Sequence, residues 1–221
     1  MQNFKGVIFD MDGVLLDSEP IYFDVEKKLF EKLNIDISKA KHFTFVGMSM
    51  RKIWLIIKNE FKLTQNIEEL ITIHNDIIYK GILNKNDISP SLGVKNTLIN
   101  LKNRNIKLAV ATSTERKLAE LILNKIRLFN LFDFIICGDE VKNGKPAPDI
   151  FLKAAEGIGI LPENCLVIED SENGVKAAFE AGIKVIGYQN PNSGNQNLNL
   201  ADFIISDFSE LKDTGLNIFS K

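Results

Sequence analysis

Val7-Ile8-Phe9-Asp10-Met11-Asp12-Gly13-Val14-Leu15-Leu16-Asp17-Ser18-Glu19-Pro20 begins as an apolar run and ends in polar residues. Gly6 to Phe9 reads as a buried strand. It runs into two aspartates one residue apart, and Gly13 then permits a backbone turn that a residue with Cβ would resist. Side chains alternate faces along a strand, so Asp10 and Asp12 share a face while the chain stays extended. Two carboxylates that close repel and raise each other's pKa. A divalent cation removes the conflict, and so does a division of labour in which one stays ionised and the other holds a proton. A strand end with two solvated loop aspartates is the ordinary alternative, and the dyad alone does not separate these readings.

Beyond this strand the pattern turns helical. Asp17 or Ser18 can cap a helix with Pro20 in its first turn, and Ile21, Val25, Leu29 and Leu33 recur at helical spacing. Ser49 is placed to cap a second helix with Ile53, Trp54, Ile57 and Phe61 inward. Asn66 with Glu69 resembles a capping box and opens a third, with Leu70, Ile71, His74, Ile77 and Ile78 on one stripe. From Asp17 to about Leu83 no strand is expected.

From residue 91 onward, helix and strand alternate. Helices over 91–103, 114–125, 148–157 and 172–181 lead in turn to apolar strands at 107–112, 134–138, 165–170 and 184–188, with a last strand at 203–205. Continuous apolar strands alternating with helices imply a parallel sheet covered on both faces. The first strand finds partners only in that sheet. The expected fold is therefore a Rossmann-like α/β core, residues 1–16 plus 87–221, with an all-α cap, residues 17–86, inserted after the first strand. Asn190 to Leu200 reads as an Asn-rich loop and nothing more.

The chain has 221 residues, a net charge of −2, 45% hydrophobic and 25% charged residues, ordinary values for a soluble globular protein. The charge makes no electrostatic case for nucleic acid or membrane. Cys137 and Cys165 lie in apolar runs, which favours buried thiols and a reducing compartment. No signal segment or membrane span is read, so a cytoplasmic location is expected; the sequence carries no sign of the oligomeric state, and a monomer is the default expectation.

Ligands of open parallel sheets bind beyond the carboxyl ends of the strands. Those ends carry Asp10 and Asp12, then Thr112 and Ser113, then Gly144-Lys145-Pro146-Ala147-Pro148-Asp149, then Glu169-Asp170-Ser171. Each has an ordinary reading alone: a hydroxyl satisfying a loop amide, a solvated lysine, a helix cap. His42 and His74 have no Ser or Cys partner pattern and read as structural. Together on one edge, however, a carboxylate nucleophile, oxygen ligands for a metal and a cationic clamp are the parts of phosphoryl transfer.

These four stretches, in this order and on these strands, resemble the four motifs of the haloacid dehalogenase superfamily, and the helical insertion is similar to the cap of its subgroup of β-phosphoglucomutases and sugar-phosphate phosphatases. The resemblance covers nearly the whole chain. It implies that Asp10 is the nucleophile and forms an aspartyl-phosphate, and that Asp12 is the general acid and base. Thr112, Ser113 and Lys145 would hold the phosphoryl group. Asp10, the Asp12 carbonyl and Asp170 would bind Mg²⁺, with Glu169 assisting directly or through water. The substrate would be a small phosphorylated metabolite, with a sugar phosphate as the nearest example, and the activity a phosphatase. A phosphomutase is the nearest alternative. A phospho-Asp receiver or a non-catalytic binding protein are the alternatives of another class. The resembling mutases carry His where this chain has Tyr22, and Arg directly after a Gly-x-Ser turn. Here Gly47-Met48-Ser49 is followed by Met50, with Arg51 one place later. Arg51 is nonetheless the cap's candidate for a second anionic contact. The cap is expected to move as a lid hinged near Leu16-Asp17 and Asn86-Ser89.

Overall fold

The structure, a computed structural model, describes residues 4–46 and 48–214; Gly47, and with it the turn expected there, lies outside the described residues. Six parallel strands form one sheet: β1 (Gly6–Phe9), β2 (Lys107–Ala111), β3 (Phe134–Ile136), β4 (Cys165–Glu169), β5 (Lys184–Tyr188) and β6 (Phe203–Ile205). Their order is β3-β2-β1-β4-β5-β6. The chain thus builds outward on one side of β1 and then returns to the other. That reversal leaves a crevice between β1 and β4 at their carboxyl ends, the place where such sheets take ligands.

Alternation along β1 divides the core. Val7 and Phe9 join an apolar cluster with Leu98, Leu101, Ile122 and Leu123, from α5 (Val94–Asn103) and α6 (Arg116–Lys125). Ile8 joins the opposite cluster with Phe151, Ala154, Val175 and Ala178, from α7 (Asp149–Gly157) and α8 (Glu172–Glu180). Both faces are dry, which is why the strands read as unbroken apolar runs.

Between β1 and α5 the described residues form four helices, not three: α1 (Glu19–Lys32), α2 (Lys39–Phe43), α3 (Met50–Phe61) and α4 (Ile67–Asn84). The short α2 is a single capped turn, with Ser38 accepting from the Lys41 amide, and five residues are too few to display a period. α1, α3 and α4 enclose their own cluster of Leu29, Phe30, Trp54, Ile57 and Leu70. Ile78 and Ile82 of α4 belong instead to the cluster beneath the sheet, so α4 ties the helical block to the core. Ser49 and Asn66 cap α3 and α4 as expected, accepting from the Lys52 and Glu69 amides. Ser18 stands at the N-cap of α1 but its side chain makes no capping bond, and its hydroxyl is buried without a partner. Asp17 is occupied elsewhere, as described below. α5 begins at Val94 rather than Ser91 because Gly93 precedes it with φ +84°. Among the described residues, no helix is long and apolar enough to cross a membrane.

Candidate active site

The carboxyl ends of β1, β2 and β4 open into a cavity of ≈ 650 Å³ whose other walls come from α1, α3 and α4. Asp10, Asp12, Thr112, Ser113, Lys145, Glu169 and Asp170 all line it. Asp10 is 6%, Glu169 1% and Asp170 4% exposed, which rules out solvated loop carboxylates. Lys145 lies on the turn before α7 and threads back between them. Its ammonium donates to Asp10 Oδ1 at 2.5 Å, Glu169 Oε1 at 2.7 Å and the Ala111 carbonyl at 3.1 Å, and lies 4.9 Å above the Phe151 ring. Burial works against its charge, but Asp10 and Glu169 overcome that and raise its pKa. It is therefore a fixed cation.

Asp10, Glu169 and Asp170 bring carboxylate oxygens within 4.8 Å of one another. Burial pushes Asp10 and Asp170 well above the usual carboxylate range, and Glu169 adds to both. One ammonium does not balance three such groups. An all-oxygen donor set crowded in this way suits a hard divalent cation, not zinc. Two glycines leave room for these carboxylates: a Cβ at Gly13 would collide with that of Asp170, and one at Gly174 with that of Glu169. Glu169 is further fixed by the Ser171 amide and hydroxyl at 2.7 and 3.0 Å, while Ser171 Oγ caps α8 through the Gly174 amide.

Asp12 has different company. Tyr22 donates to Oδ1 at 2.7 Å, and Thr114 to Oδ2 at 2.6 Å, with Thr112 further off at 3.4 Å. Burial, and then the Asp12 charge, raise the Tyr22 pKa well above its ordinary value, so it stays a phenol. Thr112 also accepts the Thr114 amide, the loop role that a strand-end hydroxyl commonly takes. Ser113 is exposed at the rim. Arg51 also lines the cavity, but its guanidinium pairs with Glu68 and is largely exposed.

Sequence reasoning missed Tyr22 and Thr114 as partners of Asp12, and it dismissed the Asn190–Leu200 loop. Asn190 donates to the Gly13 carbonyl at 2.8 Å and to Asp17 at 3.3 Å; Asn192 donates to Asp17 at 2.7 Å; Ser193 donates to Asp170. This loop clamps the turn after β1 and the end of β4. Its position just past β5, on the same edge of the sheet, was the available signal.

At the far end of the cavity His42 and His74 are buried, as expected of structural histidines, yet both line it with Glu19 and Glu26. His42 Nε2 bonds Glu19 Oε2 at 3.0 Å, and its Nδ1 lies 3.0 Å from Glu26 Oε2 without the alignment of a hydrogen bond. Burial opposes its charge, but Glu19 and Glu26 raise its pKa to about 9. A folded-state value above the unfolded one near 6.5 means that this pairing stabilises fully below about pH 6.5 and is lost as pH rises through about 9. Thermal melts between pH 6 and 10 should show the wild type losing a few degrees over this window and His42→Asn, already less stable at pH 6, losing much less. Parallel curves would remove His42 from the account.

A model of haloacid dehalogenase-like hydrolases matches residues 7–188. The phosphorylated carbohydrates phosphatase of Thermotoga maritima is 36% identical over 82% of this chain and 83% of its own. The β-phosphoglucomutase of Bacillus subtilis is 31% identical over 83% of this chain and 82% of its own. The crystal structure of CbbY from Rhodobacter sphaeroides in complex with phosphate superposes with a TM-score of 0.83, covering 94% of this chain and 96% of that one, at 24% identity, and is a likeness of fold. The chain belongs to the haloacid dehalogenase-like hydrolases and is an enzyme of that family.

Proposed function

We propose that this enzyme is a Mg²⁺-dependent phosphatase of small phosphorylated metabolites, acting through an aspartyl-phosphate on Asp10. The observation that carries the reading is the unequal setting of its two neighbouring aspartates. Asp10 sits against a cation in a crowd of carboxylates, and Asp12 sits among hydroxyls. Paired carboxyl groups in contrasting environments are the mark of divided roles. Asp10 attacks phosphorus in line. Asp12 gives a proton to the departing alkoxide and then takes one from the water that cleaves the acyl phosphate. Such a group contributes typically about 10²–10⁴ in rate. Hydroxyls both donate and accept, so Tyr22 and Thr114 can stay bonded to Asp12 in either protonation state. Lys145, with Thr112 and Ser113, holds the phosphoryl oxygens. Asp10, the Asp12 carbonyl and Asp170 would hold Mg²⁺, aided by Glu169. When bound, the ion balances the charge of the phosphate against that of Asp10.

In this reading residues 17–86 are a cap on a core of residues 1–16 and 87–221, closing as a lid about Leu16-Asp17 and Asn86-Ser89 to exclude water. Asn75 of α4 already reaches across the rim to Glu115 at 3.0 Å. Hydrolysis is favoured over phosphomutation because a mutase must grip a second phosphate. Arg51 can meet a second anionic group only by giving up Glu68, and Tyr22 takes the position where the resembling mutases carry His. The name of the Thermotoga relative points the same way.

The test is product analysis with Mg²⁺ over a panel of phosphorylated metabolites. Free phosphate should appear from monophosphates, stop on chelation and return with Mg²⁺. Full activity in chelator, with metal absent by elemental analysis, would contradict the metal assignment. Isomerisation of β-glucose 1-phosphate running much faster than phosphate release, with a bisphosphate primer supplied, would make the chain a mutase.

A further inference from the structure

The loop after β5 is folded inward although its residues are polar: Asn190 is 7% and Ser193 1% exposed. Asn190 Oδ1 accepts the Asn192 amide at 2.8 Å, which turns the NH₂ group of Asn190 toward the Gly13 carbonyl and one Asp17 oxygen. Asn192 donates to the other Asp17 oxygen at 2.7 Å. Ser193 donates to Asp170 Oδ2. Gln196 braces the turn, donating to the Ser193 carbonyl at 2.9 Å and accepting the Glu172 amide at 3.0 Å. Gly194 has φ +72°, and a Cβ there would stand 3.2 Å from both the Cβ and the carbonyl oxygen of Phe43 in α2. Bare backbone lets the loop and α2 lie this close. A cavity of ≈ 120 Å³ is lined by Asp170, Asn190, Gly194 and Gln196 among others, so the loop rests here on directed hydrogen bonds more than on close packing.

One short segment thus joins a carboxylate of the candidate metal site, the residue just before α1, and a second helix of the same block. Asp170 is crowded by the oxygens of Asp10 and Glu169, so its place depends on what holds it. Ser193 holds one of its oxygens, and a cation fixed on Asp170 in turn steadies Ser193. We propose that Ser193 positions Asp170 for the cation, and that its loop, through Asn192 and Gly194, couples occupancy of the metal site to the seating of α1 and α2. This rests on the metal assignment and the lid reading above. Outer partners of a metal ligand commonly change affinity by about 10–100-fold. Coupling of this kind is reciprocal: a loaded site steadies the seated helices, and seated helices favour a loaded site. The lid then closes over an enzyme that holds its metal in preference to one that does not.

The experiment reads Mg²⁺ binding by calorimetry and amide hydrogen exchange by mass spectrometry, on the full chain without substrate. In the wild type, saturating Mg²⁺ should slow exchange in α2 and at the start of α1, where the Tyr22 amide bonds the Ser18 carbonyl, by at least about fivefold relative to α5. Ser193→Ala should raise the Mg²⁺ Kd by about tenfold or more and lose the slowing. Asn192→Ala should hold the Kd within about threefold and lose most of the slowing in α1. Asn192→Asp, which sets two carboxylates against each other, should lose it as well, and adding Asp17→Asn should restore both the bond and the slowing. Mg²⁺ that binds the wild type without slowing α1 and α2 overturns the coupling and leaves the metal assignment standing. Slowing that survives in Asn192→Ala and Asn192→Asp travels by another path and also overturns it. An unchanged Kd in Ser193→Ala, with folding confirmed by circular dichroism, removes Ser193 as a positioning residue. Failure of Mg²⁺ to bind the wild type overturns the metal assignment and this inference with it. Should no variant fold, the wild-type comparison decides alone.

Discussion

Asp10→Asn should leave less than about one thousandth of wild-type phosphate release, a loss near 4 kcal/mol in transition-state stabilisation. An amide is too weak a nucleophile to attack phosphorus, whereas in the proposed mechanism the carboxylate forms an acyl phosphate that splits the reaction into two easier steps. The substitution keeps the size of the side chain and leaves Glu169 to hold Lys145 at 2.7 Å. The melting temperature should therefore move by only a few degrees. The measurement is steady-state phosphate release from p-nitrophenyl phosphate, with a melting curve on the same sample. Residual turnover within tenfold of wild type would show that Asp10 is not the nucleophile.

Lys145→Met should cost both stability and activity. The lysine side chain is 4% exposed and is the cation shared by Asp10 and Glu169. Removing one partner of a buried ionic group strands the others, a loss of about 3–5 kcal/mol. For a domain of this size each kcal/mol corresponds to roughly 2–4 °C in Tm. Mg²⁺ binding only to the folded state should then restore more of the Tm in the variant than it adds to the wild type, because the crowded carboxylates gain a replacement cation. Phosphate release should fall by at least about 10²-fold if Lys145 meets the transition state in the proposed way. A variant that melts with the wild type and gains nothing from Mg²⁺ would mean that Lys145 is not the balancing charge.

The parts of this design that were legible in the sequence share a physical cause. Strands buried on both faces are unbroken apolar runs, so the polar residue that ends each one stands out. Asp10, Thr112 and Glu169 were found in that way, and Lys145 by its place in a proline-stiffened turn. What stayed hidden depends on contacts across long stretches of chain. Nothing near Thr114 announces that its hydroxyl reaches Asp12, 102 residues away. Ser193 reaches Asp170 from a loop whose composition reads as filler. His42 and His74 were sought as members of a catalytic triad, and their partners, Glu19 and Glu26, sit on a different helix with no spacing to link them. The failed cap at Ser18 has a local cause: its hydroxyl is buried at the start of α1, with no amide in reach of it.

The central place of β1 also bears on how the enzyme is made. Gly6 pairs with Lys107 on one side and with Cys165 on the other. A ribosome adding about 5–20 residues per second delivers the second of these roughly 8–30 s after the first strand. Throughout that interval Val7, Ile8 and Phe9 belong to a strand with a bare edge, the kind of segment that recruits strands from other chains. The helices that follow are joined by local contacts and can form while β1 waits. Asp10 is thus translated early and put in place late, and the edge of β1 that receives β4 is the last to be covered.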